Sequence, residues 1–165
     1  MMMGALKAGG LSLVTDDHRP PDEHNQRGYF EHQGVKALET GNSWLREHRG
    51  RAVKVIYRHL YHLPEGLPTR ILFMRRDVRE VVASQNAMLG EPNGVKDWSR
   101  LLSRELVRVE RWLSRQPHIE VLDVSHRQVF LDGRAVMKEV AEFLGQGLDV
   151  EAMLATVDPS LYRQR

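Results

Sequence analysis

The sequence contains no cysteine, few aromatic residues and no long apolar run. Phe, Trp and Tyr together make up 7% of its 165 residues. The absence of Cys excludes disulfides, thiolate metal ligands and a cysteine nucleophile, and it is compatible with a reducing compartment. No apolar run reaches the ~18 residues of a membrane-spanning helix, and no basic segment followed by an apolar one opens the chain. We therefore expect a soluble, cytoplasmic protein without a membrane span.

The chain also lacks a strong excess of charge of either sign. It has 24 Lys and Arg against 22 Asp and Glu, a formal net charge of +2. This small excess does not favour nucleic acid or a membrane surface as a partner. A stripe of arginines recurs at helical spacing, at Arg100, Arg104, Arg108, Arg111 and Arg115. Because acidic residues interrupt the stripe, we interpret it as a solvated helix face, with nucleic-acid binding as a third alternative for the function.

Short apolar runs alternate with helical patterns along the chain. Strands are predicted at residues 52–56, 70–74 and 119–124, and helices at residues 1–8, 34–47, 98–116 and 135–144. This alternation is typical of an α/β fold with a mainly parallel sheet. The length suits one core of ordinary size, so residues 1–165 are predicted to form a single domain.

The most informative segment joins a predicted strand to a predicted helix. The apolar run ends in Arg75 and Arg76, and Asp77 with Glu80 three residues later has the spacing of a capping box. At the carboxyl end of a parallel strand, a helix N-terminus offers free N–H groups to an anion, and Arg76 adds a guanidinium suited to phosphate. The junction therefore predicts an anion site. The alternative is that both arginines end the strand in solvent.

Arg76 followed by Ser84 eight residues later resembles the 3′-phosphate-binding element of sulfotransferases that use 3′-phosphoadenosine 5′-phosphosulfate (PAPS). Three other segments are similar to bacterial members: NQRGYFE at 25–31, the first helix at 1–10, and 121–145, which ends in AEFLG. Together they span nearly all of the chain in the family's order. The resemblance implies a three-layer, P-loop NTPase-like α/β fold, PAPS as co-substrate without a metal, and Arg76 and Ser84 as ligands of the 3′-phosphate.

The resemblance also implies a part that this sequence does not contain. The family begins with a strand and a loop of the type Pro-Lys/Arg-Ser-Gly-Thr-Ser/Thr, which holds the 5′-phosphosulfate. This loop would end immediately before Met1. The resemblance thus implies an N-terminally truncated domain that transfers a sulfuryl group from PAPS to a hydroxyl or amine poorly or not at all. Its exposed strand edges favour self-association. The alternative is a noncatalytic remnant that binds adenine nucleotides or partner proteins.

The general base is the least determined residue of the predicted site. In the animal cytosolic enzymes a His closely follows a Lys on the corresponding strand; here Lys54 matches the Lys, but Ile56 stands at the His position. The resemblance to other members implies Glu31, beside aromatic rings that would desolvate it as suits a base. The alternatives are that Glu31 caps the following helix, or that His59 or His62 is the base. These two histidines have no third ligand at metal-binding spacing, so no metal site is predicted.

Overall fold

The computed structural model of the chain describes residues 1–16, 28–88 and 98–158. Helices alternate with short strands in these ranges. The strands are β1 (Leu13–Val14), β2 (Ala52–Val53), β3 (Thr69–Arg75) and β4 (Ile119–Ser125). The helices are α1 (Met2–Ala8), α2 (Val78–Met88), α3 (Ser99–Leu113), α4 (His126–Leu131), α5 (Gly133–Leu144) and α6 (Val150–Ala155). Further 3-10 helices lie at Gln33–Ala37, Ser43–His48 and Tyr57–His62. None of the described helices is long and apolar enough to cross a membrane.

The strands pair in parallel, which confirms the predicted mixed α/β class with parallel pairing. β3 and β4 pair over their whole length, from Thr69 opposite Ile119 to Arg75 opposite Ser125. β1 and β2 pair over two residues only. Within the described ranges the two pairs are separate two-stranded sheets rather than one continuous sheet.

Helices cover both faces of the β3–β4 pair. Leu72 and Met74 of β3 pack against the core cluster formed by α1, α4, α5 and α6. The alternate residues, Ile71 and Phe73, pack against the cluster formed by α3 and the 3-10 helix Tyr57–His62. A strand that is apolar on both faces is buried between two helical layers, which explains why residues 71–74 are a continuous apolar run.

Two predicted elements differ from the structure, one in helix type and continuity and the other in length. Residues 34–47 were expected as one helix, but they form two 3-10 helices separated by a turn at residues 38–40 and by Gly41 and Asn42. Glycine weakens a helix interior, while Val35, Leu38 and Leu45 are still buried together in a small cluster. The strand expected over residues 52–56 extends only over Ala52–Val53, because β1 offers it a partner of just two residues.

Glycines with positive φ follow the ends of two helices, as the sequence indicates, and aspartate side chains cap the starts of two. Gly10, after α1, has φ +97°, and Gly145, after α5, has φ +65°. Asp132 and Asp149 accept hydrogen bonds from the N–H groups of Ala135 and Ala152 at the starts of α5 and α6. These local signals set the helix ends, since each satisfies backbone groups that the helix leaves unpaired.

The arginine stripe of α3 faces solvent, in agreement with its interpretation as a solvated face. The four arginines of the stripe that lie in α3, and Arg115 just after it, are exposed: Arg100, Arg104, Arg108, Arg111 and Arg115. Arg108 also forms an ion pair with Glu105 one turn away. The opposite face of α3 buries Leu102, Val109 and Leu113.

Substitution at the centre of the main cluster should destabilise the protein strongly. Met137 of α5 has no exposed surface, so Met137→Ala should lower the free energy of unfolding by about 2–5 kcal/mol through lost burial and a residual cavity. The neighbouring Lys138 is exposed and pairs with Glu142 at 3.8 Å. Lys138→Ala is therefore the matched control and should cost no more than about 0.5 kcal/mol. Urea denaturation followed by circular dichroism measures both, and equal losses would contradict this assignment of the core.

Candidate functional site

The two arginines at the end of β3 have different surroundings. Arg75 donates from Nε to Asp123 Oδ1 at 2.8 Å, forms a second ion pair with Glu110, and lies 4.2 Å from the Phe73 ring centroid. Burial opposes its charge, but the hydrogen bonds with Asp123 and Glu110 outweigh burial and raise the pKa of Arg75 above its ordinary value. Arg75 therefore joins β3 to β4 and α3, and its hydrogen-bonding capacity is largely used within the fold.

Arg76 faces the first turns of α2. Its Nε donates to Glu80 Oε2 at 2.9 Å, and about a quarter of each side chain is exposed. Residues four apart share a helix face, so half-buried Ser84 lies one turn beyond Glu80 on this face. The structure thus brings Arg76 and Ser84 to the same side of α2, with the Glu80 carboxylate between them. Their role as phosphate ligands stays a prediction.

The start of α2 has the predicted cap. Asp77 Oδ1 accepts a hydrogen bond from the Arg79 N–H at 2.7 Å. A capping box would have the Glu80 carboxylate accept from the Asp77 N–H. The structure instead has this carboxylate accept a hydrogen bond from Arg76 Nε. The cap fixes where α2 begins, with only Arg76 and Asp77 between it and β3, and so holds Arg76 at the junction.

His126 is part of this region and was not considered from the sequence. It is the first residue of α4 and directly follows β4. Burial lowers its pKa, Arg76 and the Met1 amino group lower it further, and Glu80 opposes them. The imidazole contacts the Phe130 ring edge-on, with centroids 5.2 Å apart. The missed signal was the position of a titratable residue immediately after the second of two parallel strands.

Glu31 belongs to a second polar group. Lys54 Nζ donates to Glu31 Oε1 and to the Tyr29 carbonyl oxygen, both at 3.0 Å. About a third of the Glu31 side chain is exposed, while Tyr29 is buried. The alternative role of Glu31 as a helix cap is wrong, because His32 caps the following 3-10 helix by accepting from the Gly34 N–H. Lys54 orients the carboxylate that was predicted as the general base.

The alternative bases lie in the 3-10 helix Tyr57–His62. Burial, and then the charges of Arg58 and His62, lower the pKa of His59, whereas Glu39 opposes them. The carbonyl oxygen of His62 accepts a hydrogen bond from Asn42. Neither His59 nor His62 is among the described residues that line the cavity between the two sheets.

A cavity of about 670 Å³ separates the two sheets. Residues 51–55, which include β2 and the residues on both sides of it, line one side. Residues 68–72, in and before β3, line the other. Consecutive residues of both segments line it, whereas a strand face would contribute only alternate residues. The cavity therefore meets the edges of β2 and β3. Residues 1–3 at the start of α1 line it as well.

Part of the predicted site falls outside the described residues. Residues 25–27 of the NQRGYFE stretch lie there, and only Gly28, Tyr29, Phe30 and Glu31 of that stretch are described. Across residues 1–16, 28–88 and 98–158, no group of three or more His, Asp or Glu side chains is placed to hold a metal ion.

Comparison with known proteins adds no assignment. No protein-family model, curated protein or solved structure matches the chain.

The Glu80 carboxylate competes with an external anion for Arg76, so its negative charge should weaken anion binding. Glu80→Gln keeps a hydrogen-bond acceptor for Arg76 but removes the competing negative charge. It should strengthen binding of inorganic sulfate about two- to fivefold, as expected for loss of one exposed ion pair. NMR titration with sulfate against chloride at constant ionic strength measures this.

The matched control is Glu105→Gln, which makes the same change in the Arg108–Glu105 pair of α3. It should leave sulfate affinity unchanged. Weaker binding by Glu80→Gln, or an equal gain in both variants, would contradict an anion site at Arg76.

Proposed function

We propose that the chain is part of a PAPS-dependent sulfotransferase domain in which Arg76 and Ser84 bind the 3′-phosphate. The observation that carries the proposal is the juncture of β3 and α2: Arg76 follows the carboxyl end of a buried parallel strand, and Ser84 lies on the face of α2 that Arg76 contacts through Glu80. Ligands of open α/β sheets bind at the carboxyl ends of strands. A guanidinium and a hydroxyl are suitable donors for a phosphate monoester.

The proposed reaction transfers a sulfuryl group to an acceptor hydroxyl or amine. The acceptor atom forms a bond to sulfur, the bond from sulfur to the bridging phosphate oxygen breaks, and 3′-phosphoadenosine 5′-phosphate leaves. A base must take the acceptor proton, and Glu31 is the proposed residue, with Lys54 orienting its carboxylate. As in phosphoryl transfer, catalysis requires mainly positioning and stabilisation of the charge on the leaving oxygen.

The cavity supports a further part of the proposal, an additional central strand. Parallel strands donate and accept hydrogen bonds along both edges, and β2 and β3 each have one edge facing the cavity. We propose that the active domain has a strand here, followed by the phosphosulfate loop and then α1. Such a strand would merge the two sheets into the three-layer, P-loop NTPase-like fold. The start of α1 at the cavity is consistent with this connection.

Nucleotide binding tests the 3′-phosphate site directly. Hydrogen bonds to charged groups contribute about 1.5–3 kcal/mol, so Arg76→Ala should weaken binding of 3′-phosphoadenosine 5′-phosphate roughly ten- to hundredfold. Ser84→Ala should weaken it about two- to tenfold. Isothermal titration calorimetry measures the affinities. Arg79→Ala is the control, because Arg79 is an exposed arginine of the same helix. Equal affinities of the wild type and Arg76→Ala would overturn the proposal.

Filling the cavity tests the proposed strand. Five alternating Val and Ile residues followed by Pro-Lys-Ser-Gly-Thr-Ser, fused ahead of Met1, should raise Tm by roughly 5–10 °C through new burial and ladder hydrogen bonds. The fusion should also bind the nucleotide more tightly, since the loop supplies N–H groups and a lysine.

The control for the fusion carries Pro at the central strand residue, which removes a ladder N–H and should abolish most of the stabilisation. Equal Tm gains in both fusions would contradict a strand in the cavity. Nucleotide binding by the Val/Ile fusion without sulfuryl transfer to any acceptor would favour the noncatalytic alternative.

A further inference from the structure

Two basic residues follow the same end of the β3–β4 sheet, the end at which both strands terminate. Arg75 of β3 lies opposite Ser125 of β4 in the parallel register. The next residues, Arg76 and His126, therefore follow the carboxyl ends of neighbouring strands, which lie about 4.8 Å apart in a sheet. The electrostatic effect of Arg76 on the His126 imidazole agrees with this proximity. Both side chains are partly buried.

The imidazole also has an acidic neighbour. Glu80 of α2 opposes the effect of Arg76 on the ring. Three of the four charged side chains of α5, the helix packed against α4, are engaged elsewhere: Arg134 pairs with Glu151 of α6, and Lys138 pairs with Glu142. The fourth, Glu139, is exposed. The carboxylate that acts on His126 is thus already paired with Arg76.

We propose that Arg76 and His126 together bind one tetrahedral oxyanion, and that binding of the anion is coupled to protonation of His126. The ligand class is a dianion such as a phosphate monoester or sulfate. The inference deepens the proposed function, on which it rests only for the identity of the anion as a nucleotide 3′-phosphate. His126 would then be a binding residue of the site, not a catalytic one.

The coupling follows from the charges around His126. Without an anion, burial and Arg76 hold the pKa of His126 below its ordinary value, so the ring is neutral near pH 7. A dianion between the two side chains offsets the repulsion by Arg76 and favours the imidazolium, so the ring takes up a proton from solvent. Affinity therefore rises as the pH falls through the pKa of the complex. The gain levels off below the pKa of the free protein.

The experiment compares wild type with His126→Gln over a range of pH. The ratio of their affinities for 3′-phosphoadenosine 5′-phosphate removes the titration of the ligand itself, whose phosphates change charge near pH 6. One unit of pKa shift corresponds to tenfold in affinity. We expect His126→Gln to bind about tenfold more weakly than wild type at pH 5.5 and within about twofold at pH 8.5. Calorimetry in buffers of different ionisation enthalpy should show proton uptake by the wild type alone.

A matched histidine provides the control. His118 lies at the amino end of β4, where its carbonyl oxygen accepts from the Thr69 N–H, at the opposite end of the strand from His126. His118→Gln should retain the wild-type pH dependence and proton uptake. NMR of the His126 imidazole in the presence of inorganic sulfate, at constant ionic strength, measures the same coupling without a titrating ligand.

The outcomes separate this inference from the proposed function. If the nucleotide binds and Arg76→Ala abolishes binding, but His126→Gln has the wild-type pH profile, the inference is overturned and the proposed function stands. If sulfate raises the His126 pKa but the nucleotide binds no more tightly than sulfate, the anion pair stands and the nucleotide is the wrong ligand. If neither anion shifts the imidazole, the inference is overturned.

Discussion

The parallel register of β3 and β4 is the constraint on which the rest of the structure depends. Their continuous ladder, from Thr69 opposite Ile119 to Arg75 opposite Ser125, ends both strands at the same level. Each strand is followed at once by a helix, so the residues at the two junctions are brought together although they are distant in sequence. A slip of one residue would reverse the faces of every β3 side chain and move Leu72 and Phe73 into the wrong helical layer.

This register also explains why adjacent arginines have separate roles. Arg75, still in the ladder, forms ion pairs with Glu110 and Asp123 and so connects the sheet to α3. Arg76 is beyond the ladder and turns toward α2. Arg75 forms ion pairs with two carboxylates, whereas the described residues provide Arg76 with one ion-pair partner, the partly exposed Glu80. An external anion would therefore compete with less negative charge at Arg76 than at Arg75.

The sequence predicts those elements whose signals are local. The runs at residues 70–74 and 119–124 and the helical period of residues 98–116 give β3, β4 and α3 to within a few residues, because burial on two faces or one stripe is visible in the pattern itself. The length of β2 depends instead on β1, about forty residues away. The Lys54–Glu31 pair and the closeness of His126 to Arg76 depend on strand pairing, which no local pattern contains. The candidate site could thus be located at one junction, but not completed.

The cavity lies along the lateral edges of β2 and β3, and the candidate anion site lies at the carboxyl end of β3. Two-stranded sheets are marginal by themselves, and here apolar residues such as Val53 and Ile71 line the space between two such sheets. Residues 1–3 line the cavity, so α1 begins beside it. In the proposed function, the loop that follows a strand in the cavity would hold the 5′-phosphosulfate of the nucleotide whose 3′-phosphate Arg76 binds. One added segment would then complete both the sheet and the nucleotide site.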